Sequence, residues 1–195
     1  MRYVVAPRLG QGSQYRSAFD KVLPVPAWLY SNLERWHYLS LLKSKRTMQM
    51  LAELRLQAFE PEKIAALIHV IEHDLGYYLY RAVEHTKIEL SDRAVSTLRF
   101  RDAALAIEQL VQRDEFEGWI GDEIAAIAAC LDRLLEHTGV VPSDVGSVFM
   151  TGGSSFVPAV RHLFEARFGA SRLRSGGELT SVAKGLALRA LDLQS

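Results

Sequence analysis

The longest regular pattern in the chain is a stripe of apolar residues between Glu62 and Leu90. Its members recur three or four residues apart, which is the spacing of one face of an α-helix. They are Ile64, Leu67, Ile68, Ile71, Leu75, Leu79 and Ala82. Pro61 stands just before the stripe, where the first turn of a helix tolerates proline. The pattern predicts one long helix over residues 62–90.

A second stripe predicts a helix from about Asp114 to Thr138, with Gly139 ending it. Its apolar face is Ile120, Ile124, Ile127, Leu131, Leu134 and Leu135. Cys130, the only cysteine of the chain, lies among these residues. We expect it to be a buried structural thiol, and a single cysteine excludes an intrachain disulfide. A last helix is predicted from Ser181 to Leu191.

Residues between the two stripes predict a small β-hairpin. Its strands are residues 95–100 and residues 103–108, with Arg101 and Asp102 separating them. Residues 1–57 contain three prolines and no sustained periodicity, so we expect loops and short helices there.

Residues 148–160, with the sequence VFMTGGSSFVPAV, predict a strand followed directly by a helix. Gly152 and Gly153 lie at the junction, where glycine permits positive φ and the close approach of a ligand. Ser154 and Ser155 follow with hydroxyl groups that could cap the helix. Taken alone, the junction fits a phosphate- or nucleoside-binding loop and a plain structural turn equally well.

This junction resembles the third signature of the DnaK-type heat-shock chaperones, the Hsp70 family. That signature has an apolar strand, two glycines, two small hydroxyl residues, a variable residue, an aliphatic residue and proline, and residues 148–158 fill every position. Residues 84–91, EHTKIELS, are similar to the family's helix that ends in Lys-x-x-Leu-Ser and borders the adenosine pocket. Residues 23–28 and 60–63 look like the shorter YegD-like branch.

The resemblance implies an α/β fold of the actin-like ATPase (ribonuclease H-like) type, and it covers lobe II only. Within that lobe we expect a start of loops and short helices over residues 1–57. Residues 58–112 would form an inserted helical subdomain with a small β-hairpin, and residues 113–195 an ATPase-fold subdomain with the signature loop. The first lobe's phosphate loop and catalytic lysine have no match in the sequence, and residues 9–13, LGQGS, match the family's other phosphate loop poorly. We therefore expect a fragment of a larger protein.

The resemblance also implies nucleotide-binding residues in the signature loop. Gly152, Gly153 and Ser154 are predicted to approach the nucleotide. Phe156 stands where the family often has an arginine packed over adenine, and its ring can still stack on a base. Leu179 replaces an acidic residue that the family has near the last helix, so a polar contact is lost there or moves to Glu178.

Three further nucleotide contacts are predicted on the first long helix. Glu84, Lys87 and Ser91 are spaced i, i+3 and i+7, so they share a helix face. By the resemblance, the carboxylate accepts from ribose hydroxyls, the ammonium approaches adenosine or its phosphates, and the serine hydroxyl bonds the adenine edge. Without the resemblance, the same residues fit a solvated ion pair followed by a helix-ending serine.

The implied ligands are ATP and ADP, with Mg²⁺ in the intact protein. The chain would supply the adenosine side of the ATP site of an Hsp70/DnaK-like chaperone ATPase, and no residue is assigned to catalysis, so the fragment alone is expected to hydrolyse no ATP. Expected partners are the missing N-terminal lobe and protein clients or co-chaperones. Two alternatives remain open: a degenerate lobe acting as a protein-interaction module, and a small-molecule kinase of the same superfamily.

The composition of the chain argues against several classes of partner. Lys and Arg number 23, as do Asp and Glu, so the zero net charge gives no global field for nucleic acid and we expect no such partner. No apolar run approaches the ~20 residues that cross a bilayer, so we expect no membrane association and a cytoplasmic protein. His69 and His73 are four residues apart without a third ligand nearby, so we expect surface or packing histidines and no metal site.

Overall fold

The structure is a computed structural model that describes residues 1–31, 33, 35–176 and 181–192. The chain forms two compact units. Unit 1 consists of Met1–Glu89 and Val95–Val111, and unit 2 of Leu90–Ala94 and Gln112–Ser195. The predicted division into residues 1–57, 58–112 and 113–195 concerns subdomains of an intact ATPase lobe and stays a prediction.

Unit 1 begins with short elements followed by a longer helix. They are α1 (Val5–Arg8), β1 (Gln14–Arg16), β2 (Val22–Pro24), α2 (Trp28–Ser31), a 3-10 helix (Trp36–Lys43) and α3 (Lys45–Gln57). β1 and β2 pair antiparallel, with Tyr15 opposite Leu23. The expectation of loops and short helices misses α3, which has 13 residues. Its N-terminus is capped by Ser44, whose hydroxyl accepts from the Thr47 N–H at 3.2 Å.

The predicted helix over residues 62–90 is in fact two helices, α4 (Pro61–Glu72) and α5 (Gly76–Asp92). Asp74 takes a left-handed conformation, with φ 54°. The Leu75 N–H donates to the Val70 carbonyl at 3.0 Å and the Asp74 N–H to the Ile71 carbonyl at 3.4 Å. This pair of bonds is the Schellman ending of a helix, so α4 stops there although the apolar stripe continues.

The stripe itself is confirmed as a core-forming surface. Five of its members are buried: Ile64, Leu67, Ile71, Leu75 and Leu79. They belong to a core cluster that also receives side chains from α1, α2, α3 and the hairpin described next.

The predicted hairpin is present as β3 (Val95–Arg101) and β4 (Ala106–Gln112). Its second strand starts three residues later than predicted because the turn is longer. The Asp102 N–H donates to the Leu105 carbonyl at 2.8 Å. The Asp102 carboxylate bonds His69 Nε2 at 2.6 Å. That bond, followed by smaller contributions from the backbone N–H groups of Ala103 and Ala104, lowers the pKa of Asp102.

Unit 2 contains four helices and a two-stranded parallel sheet within its described part. The elements are α6 (Arg113–Trp119), α7 (Gly121–Thr138), β5 (Val148–Phe149), α8 (Pro158–Phe168), β6 (Leu173–Arg174) and α9 (Ser181–Asp192). Short 3-10 turns precede β5, α8 and β6. Val148 pairs with Leu173. The last helix predicted from the sequence, Ser181 to Leu191, is present as α9.

The prediction of a single helix over residues 114–138 is wrong. The helical conformation is interrupted at Ile120 (φ −104°, ψ 13°), which separates α6 from α7. Gly118 and Gly121 flank this break, and glycine weakens a helix interior. The predicted helix end is confirmed: Gly139 is left-handed, with φ 67°.

The predicted apolar face of α7 is buried only in part. Ile124, Leu131 and Leu135 pack against the core of unit 2, whereas Ile127 and Leu134 are exposed. Cys130 is also exposed, so the expectation of a buried thiol is wrong. The reason is the small size of this core, whose buried members are Met150, Val160, Phe168 and Leu173.

Candidate functional site

The predicted strand, glycine loop and helix are present at residues 148–168. After β5, the Met150 N–H donates to the Arg174 carbonyl at 3.1 Å, which extends the pairing toward the glycines. Gly152 has φ 80° and ψ 167°, a conformation that essentially only glycine adopts. A 3-10 turn over Gly153–Phe156 follows, and Pro158 occupies the first turn of α8.

The turn is closed by Ser155. Its N–H donates to the Gly152 carbonyl at 3.1 Å and its hydroxyl donates to the same oxygen at 2.6 Å. Ser155 is buried, whereas Ser154 is exposed. The expectation that these serines cap the next helix is wrong, because the 3-10 turn separates them from α8. The N-cap of that helix is Val157, which makes no side-chain cap.

The loop leaves open space beside both glycines. A Cβ built on Gly152 or on Gly153 meets no described atom within 4 Å. Gly152 still needs to be glycine for its backbone conformation, but Gly153 does not have positive φ. No contact or torsion recorded in the described part of the chain therefore explains glycine at position 153.

Phe156 ends the turn with a half-exposed ring, 45% accessible. It is not among the residues that form or pack against the core of unit 2. A phenyl ring held on a fixed turn with so much of its surface accessible can receive a flat apolar group. The loop thus combines an open backbone with an aromatic surface.

The helical candidates are only partly exposed. The Lys87 ammonium donates to Glu84 Oε1 at 2.7 Å, and the two side chains are 41% and 34% accessible. The Ser91 carbonyl accepts from the Arg113 guanidinium at 3.4 Å. Glu84 and Lys87 belong to unit 1, whereas Ser91 and the glycine loop belong to unit 2. The role of these three residues stays a prediction.

A polar cluster not anticipated from the sequence joins the two histidines to the hairpin turn. The rings of His69 and His73 lie 4.2 Å apart between centroids, and His69 bonds Asp102. The signal was the i, i+4 spacing of the histidines, but their partner lies 33 positions away from His69 in sequence. Among the residues described, no group of three or more His, Cys, Asp or Glu could hold a metal ion.

One predicted difference from the Hsp70-type sequence pattern, Leu179 in place of an acidic residue, cannot be placed on the structure. Leu179 lies in the segment 177–180, outside the described residues. Within the part that is described, no helix is long and apolar enough to cross a membrane.

The β-strand, glycine turn and helix of this loop lie within the part of the chain that matches a known protein family. The family model described as Hsp70 protein matches residues 71–194, well over half of the chain. The chain belongs to the Hsp70 family. That family has the actin-like ATPase fold, with which the helices and small sheets of the structure are consistent.

Individual relatives agree with the family match. The chaperone protein DnaK of Trichormus variabilis is 28% identical over 118 residues, which cover 57% of this chain and 17% of the relative. The HscA homolog of Shewanella oneidensis is 34% identical over 110 residues, covering 56% of this chain and 17% of the relative. DnaK of Deinococcus proteolyticus is 23% identical over 175 residues, covering 86% and 23%. The chain therefore matches only about a fifth of the length of these relatives.

Proposed function

We propose that this chain is lobe II of the nucleotide-binding domain of an Hsp70/DnaK-like chaperone ATPase of the YegD-like branch. In this proposal it supplies the adenosine side of an ATP site in a cytoplasmic protein. The observation that carries the proposal is the open glycine loop of residues 152–156, which lies inside the family match and whose second glycine has no recorded structural cause. A bound nucleotide provides that cause, because a Cβ at Gly153 would occupy its approach.

The proposed roles in the loop follow from what each group offers. The backbone at Gly152 and Gly153 lets the nucleotide come closer than any side chain would permit. Ser154 is exposed and offers a hydroxyl. Phe156 offers its half-exposed ring to the base.

Helix α5 supplies the other proposed contacts. Glu84 accepts from ribose hydroxyls, Lys87 approaches adenosine or its phosphates, and Ser91 bonds the adenine edge. The Glu84–Lys87 bond at 2.7 Å places the carboxylate and the ammonium side by side on one face of α5. Phosphoryl transfer needs groups that position the γ-phosphate and its Mg²⁺. We assign those groups to the N-terminal lobe of the intact protein, so this chain alone hydrolyses no ATP.

The test is a titration of ATP and ADP, with Mg²⁺, into the full-length protein while its melting temperature is followed. A ligand that binds only the native state raises that temperature with dose. Gly153→Trp fills the proposed approach and should abolish the rise. The matched control is Gly146→Trp, because Gly146 also lacks positive φ and has open space beside it but lies outside the loop.

The two variants separate the outcomes. A dose-dependent rise in the wild type and in Gly146→Trp, lost only in Gly153→Trp, supports a nucleotide at this loop. If the melting temperature of Gly153→Trp still rises with nucleotide, the nucleotide binds elsewhere in the protein. No rise in any of the three proteins would falsify the nucleotide role.

The second candidate is a protein-interaction module that no longer holds nucleotide, and one observation favours it. Unit 2 exposes several large apolar side chains: Ile127, Leu134, Phe149 and Leu186. Exposed apolar side chains mark a docking site where they form one contiguous patch. Absence of any nucleotide effect, together with loss of client or co-chaperone binding in Leu134→Ser, would favour this candidate over the first.

A further inference from the structure

The ring of Phe156 is relevant to which bases the loop can accept. This inference rests on the proposed function, nucleotide binding at the loop, and goes beyond it. We propose that Phe156 makes the loop tolerant of the base, because a phenyl ring stacks on every base. The nucleoside is held by stacking on the phenyl ring, and the loop itself does not select adenine.

The first step is the accessibility and position of the ring. Phe156 closes a turn that Ser155 fixes through two bonds to the Gly152 carbonyl. Its side chain is 45% accessible, and no aromatic or cationic group recorded in the described part of the chain stacks on it. A base can therefore meet ring surface that the described residues leave accessible. Stacking of this kind serves every base, since each base has a π-face.

The second step is the inventory of hydrogen-bonding side chains in the turn. The Ser155 hydroxyl is buried and already donates to the Gly152 carbonyl. The remaining hydroxyl, on Ser154, is exposed and can both donate and accept. A hydroxyl of this kind satisfies adenine and guanine edges alike. The turn thus has no side chain that accepts from one base and rejects another.

The third step concerns two arginines of unit 2. Arg161, on the first turns of α8, donates to Glu165 at 2.9 Å and to Ser175 at 2.8 Å. Arg174 donates to the Ser171 carbonyl at 3.1 Å. Both guanidinium groups are engaged with protein partners. Phe156 therefore supplies an apolar ring without the directional donors that a guanidinium would add.

The experiment measures the dissociation constants of ATP, GTP, CTP and UTP, each with Mg²⁺, for the full-length protein by calorimetry. The four constants should lie within about tenfold of one another, with the larger purines binding more tightly because they stack over more area. Phe156→Leu should weaken all four by a similar factor, about tenfold, since each loses the same ring. Phe156→Tyr keeps the ring and should restore binding relative to Phe156→Leu.

The matched control is Phe19→Leu, which removes an exposed phenyl ring, 87% accessible, from unit 1. It should leave the four constants unchanged, and the melting temperatures of all variants show whether they fold. ATP binding a hundredfold more tightly than the others would overturn the inference and leave the proposed function intact. So would unchanged affinities in Phe156→Leu. Failure of all four nucleotides to bind wild type would overturn the proposed function itself.

Discussion

Two glycine turns in different units share one pattern of serine hydrogen bonds. In unit 1, the N–H and the hydroxyl of Ser13 donate to the Gly10 carbonyl at 3.2 and 2.7 Å. In unit 2, the same groups of Ser155 donate to the Gly152 carbonyl at 3.1 and 2.6 Å. Both glycines have positive φ, 95° and 80°, and both serines are buried. The same two serine bonds thus close both turns, although Gly12 in the first turn has φ 85° and its counterpart Ser154 lies in a 3-10 turn without positive φ.

The surroundings of the two turns are opposite. A Cβ on Gly10 would lie 2.7 Å from Ile64 Cδ1 and 3.0 Å from the Tyr30 hydroxyl, whereas a Cβ on Gly152 would meet no described atom within 4 Å. Tyr30 is held in place by donating to the Leu9 carbonyl at 3.1 Å, and its burial raises the pKa of its hydroxyl. The first turn is filled by the protein's own core, and the second is open.

This difference shows how a glycine motif is to be interpreted. Residues 9–13 match a family phosphate loop poorly in sequence, and the structure fills the space beside Gly10 with side chains of unit 1. There the glycine serves packing. Beside Gly152 and Gly153 no described side chain fills the space, so the same motif is available to a ligand.

The largest predicted effect tests this contrast by enlarging each glycine. Gly10→Ala should lower the free energy of unfolding by about 2–5 kcal/mol, because backbone strain adds to overpacking against Ile64. Gly152→Ala should cost about 1–3 kcal/mol, from backbone strain alone. Urea unfolding measures both, and Gly10→Met and Gly152→Met extend the series.

The size series supplies the control. At Gly10 the loss of stability should grow from alanine to methionine, since the longer side chain enters the core. At Gly152 the two losses should be equal within about 0.5 kcal/mol, because the added atoms reach open space. A loss at Gly152 that grows with side-chain size would show that the second turn is not open.

An intermediate effect is expected at the serines that close the turns. Ser13→Ala and Ser155→Ala each remove one hydroxyl bond to a glycine carbonyl that keeps a backbone N–H donor. The expected loss is about 1 kcal/mol in each case, and the two losses should agree within about 0.5 kcal/mol, because each buried serine loses the same hydroxyl bond. Urea unfolding of the two variants side by side gives the comparison. Clearly unequal losses would contradict the equivalence of the two serine bonds.

Much of the fold could be predicted from apolar periodicity, but helix ends could not. The stripe from Ile64 to Leu79 is buried as predicted, yet it runs across the break at Asp74. The apolar periodicity shows which side of a helix faces the core. It does not show where a helix ends, because two successive helices can continue the same apolar stripe. The break between α4 and α5 depends on one left-handed residue and two backbone hydrogen bonds, and neither changes the pattern of apolar residues.

The candidate site shows the same limit. The glycine loop could be predicted because strand, glycines and helix are consecutive in sequence. The role of Ser155 could not, since both serines offer the same hydroxyl and only the turn decides which one is buried. Cys130 was expected to be buried because apolar residues surround it in sequence, but the core of unit 2 is too small to cover that side of α7.

The smallest predicted effect is at Gly153, and it decides what the open turn means. Gly153 lacks positive φ, and a Cβ there meets no described atom within 4 Å, so Gly153→Ala should change the free energy of unfolding by less than about 0.5 kcal/mol or stabilise slightly by restricting the unfolded chain. Urea unfolding of this variant beside Gly152→Ala makes the comparison within one turn. A loss above about 1 kcal/mol would mean that the turn itself requires this glycine. The openness of the loop would then be a by-product of folding, and the argument for a ligand would lose its main support.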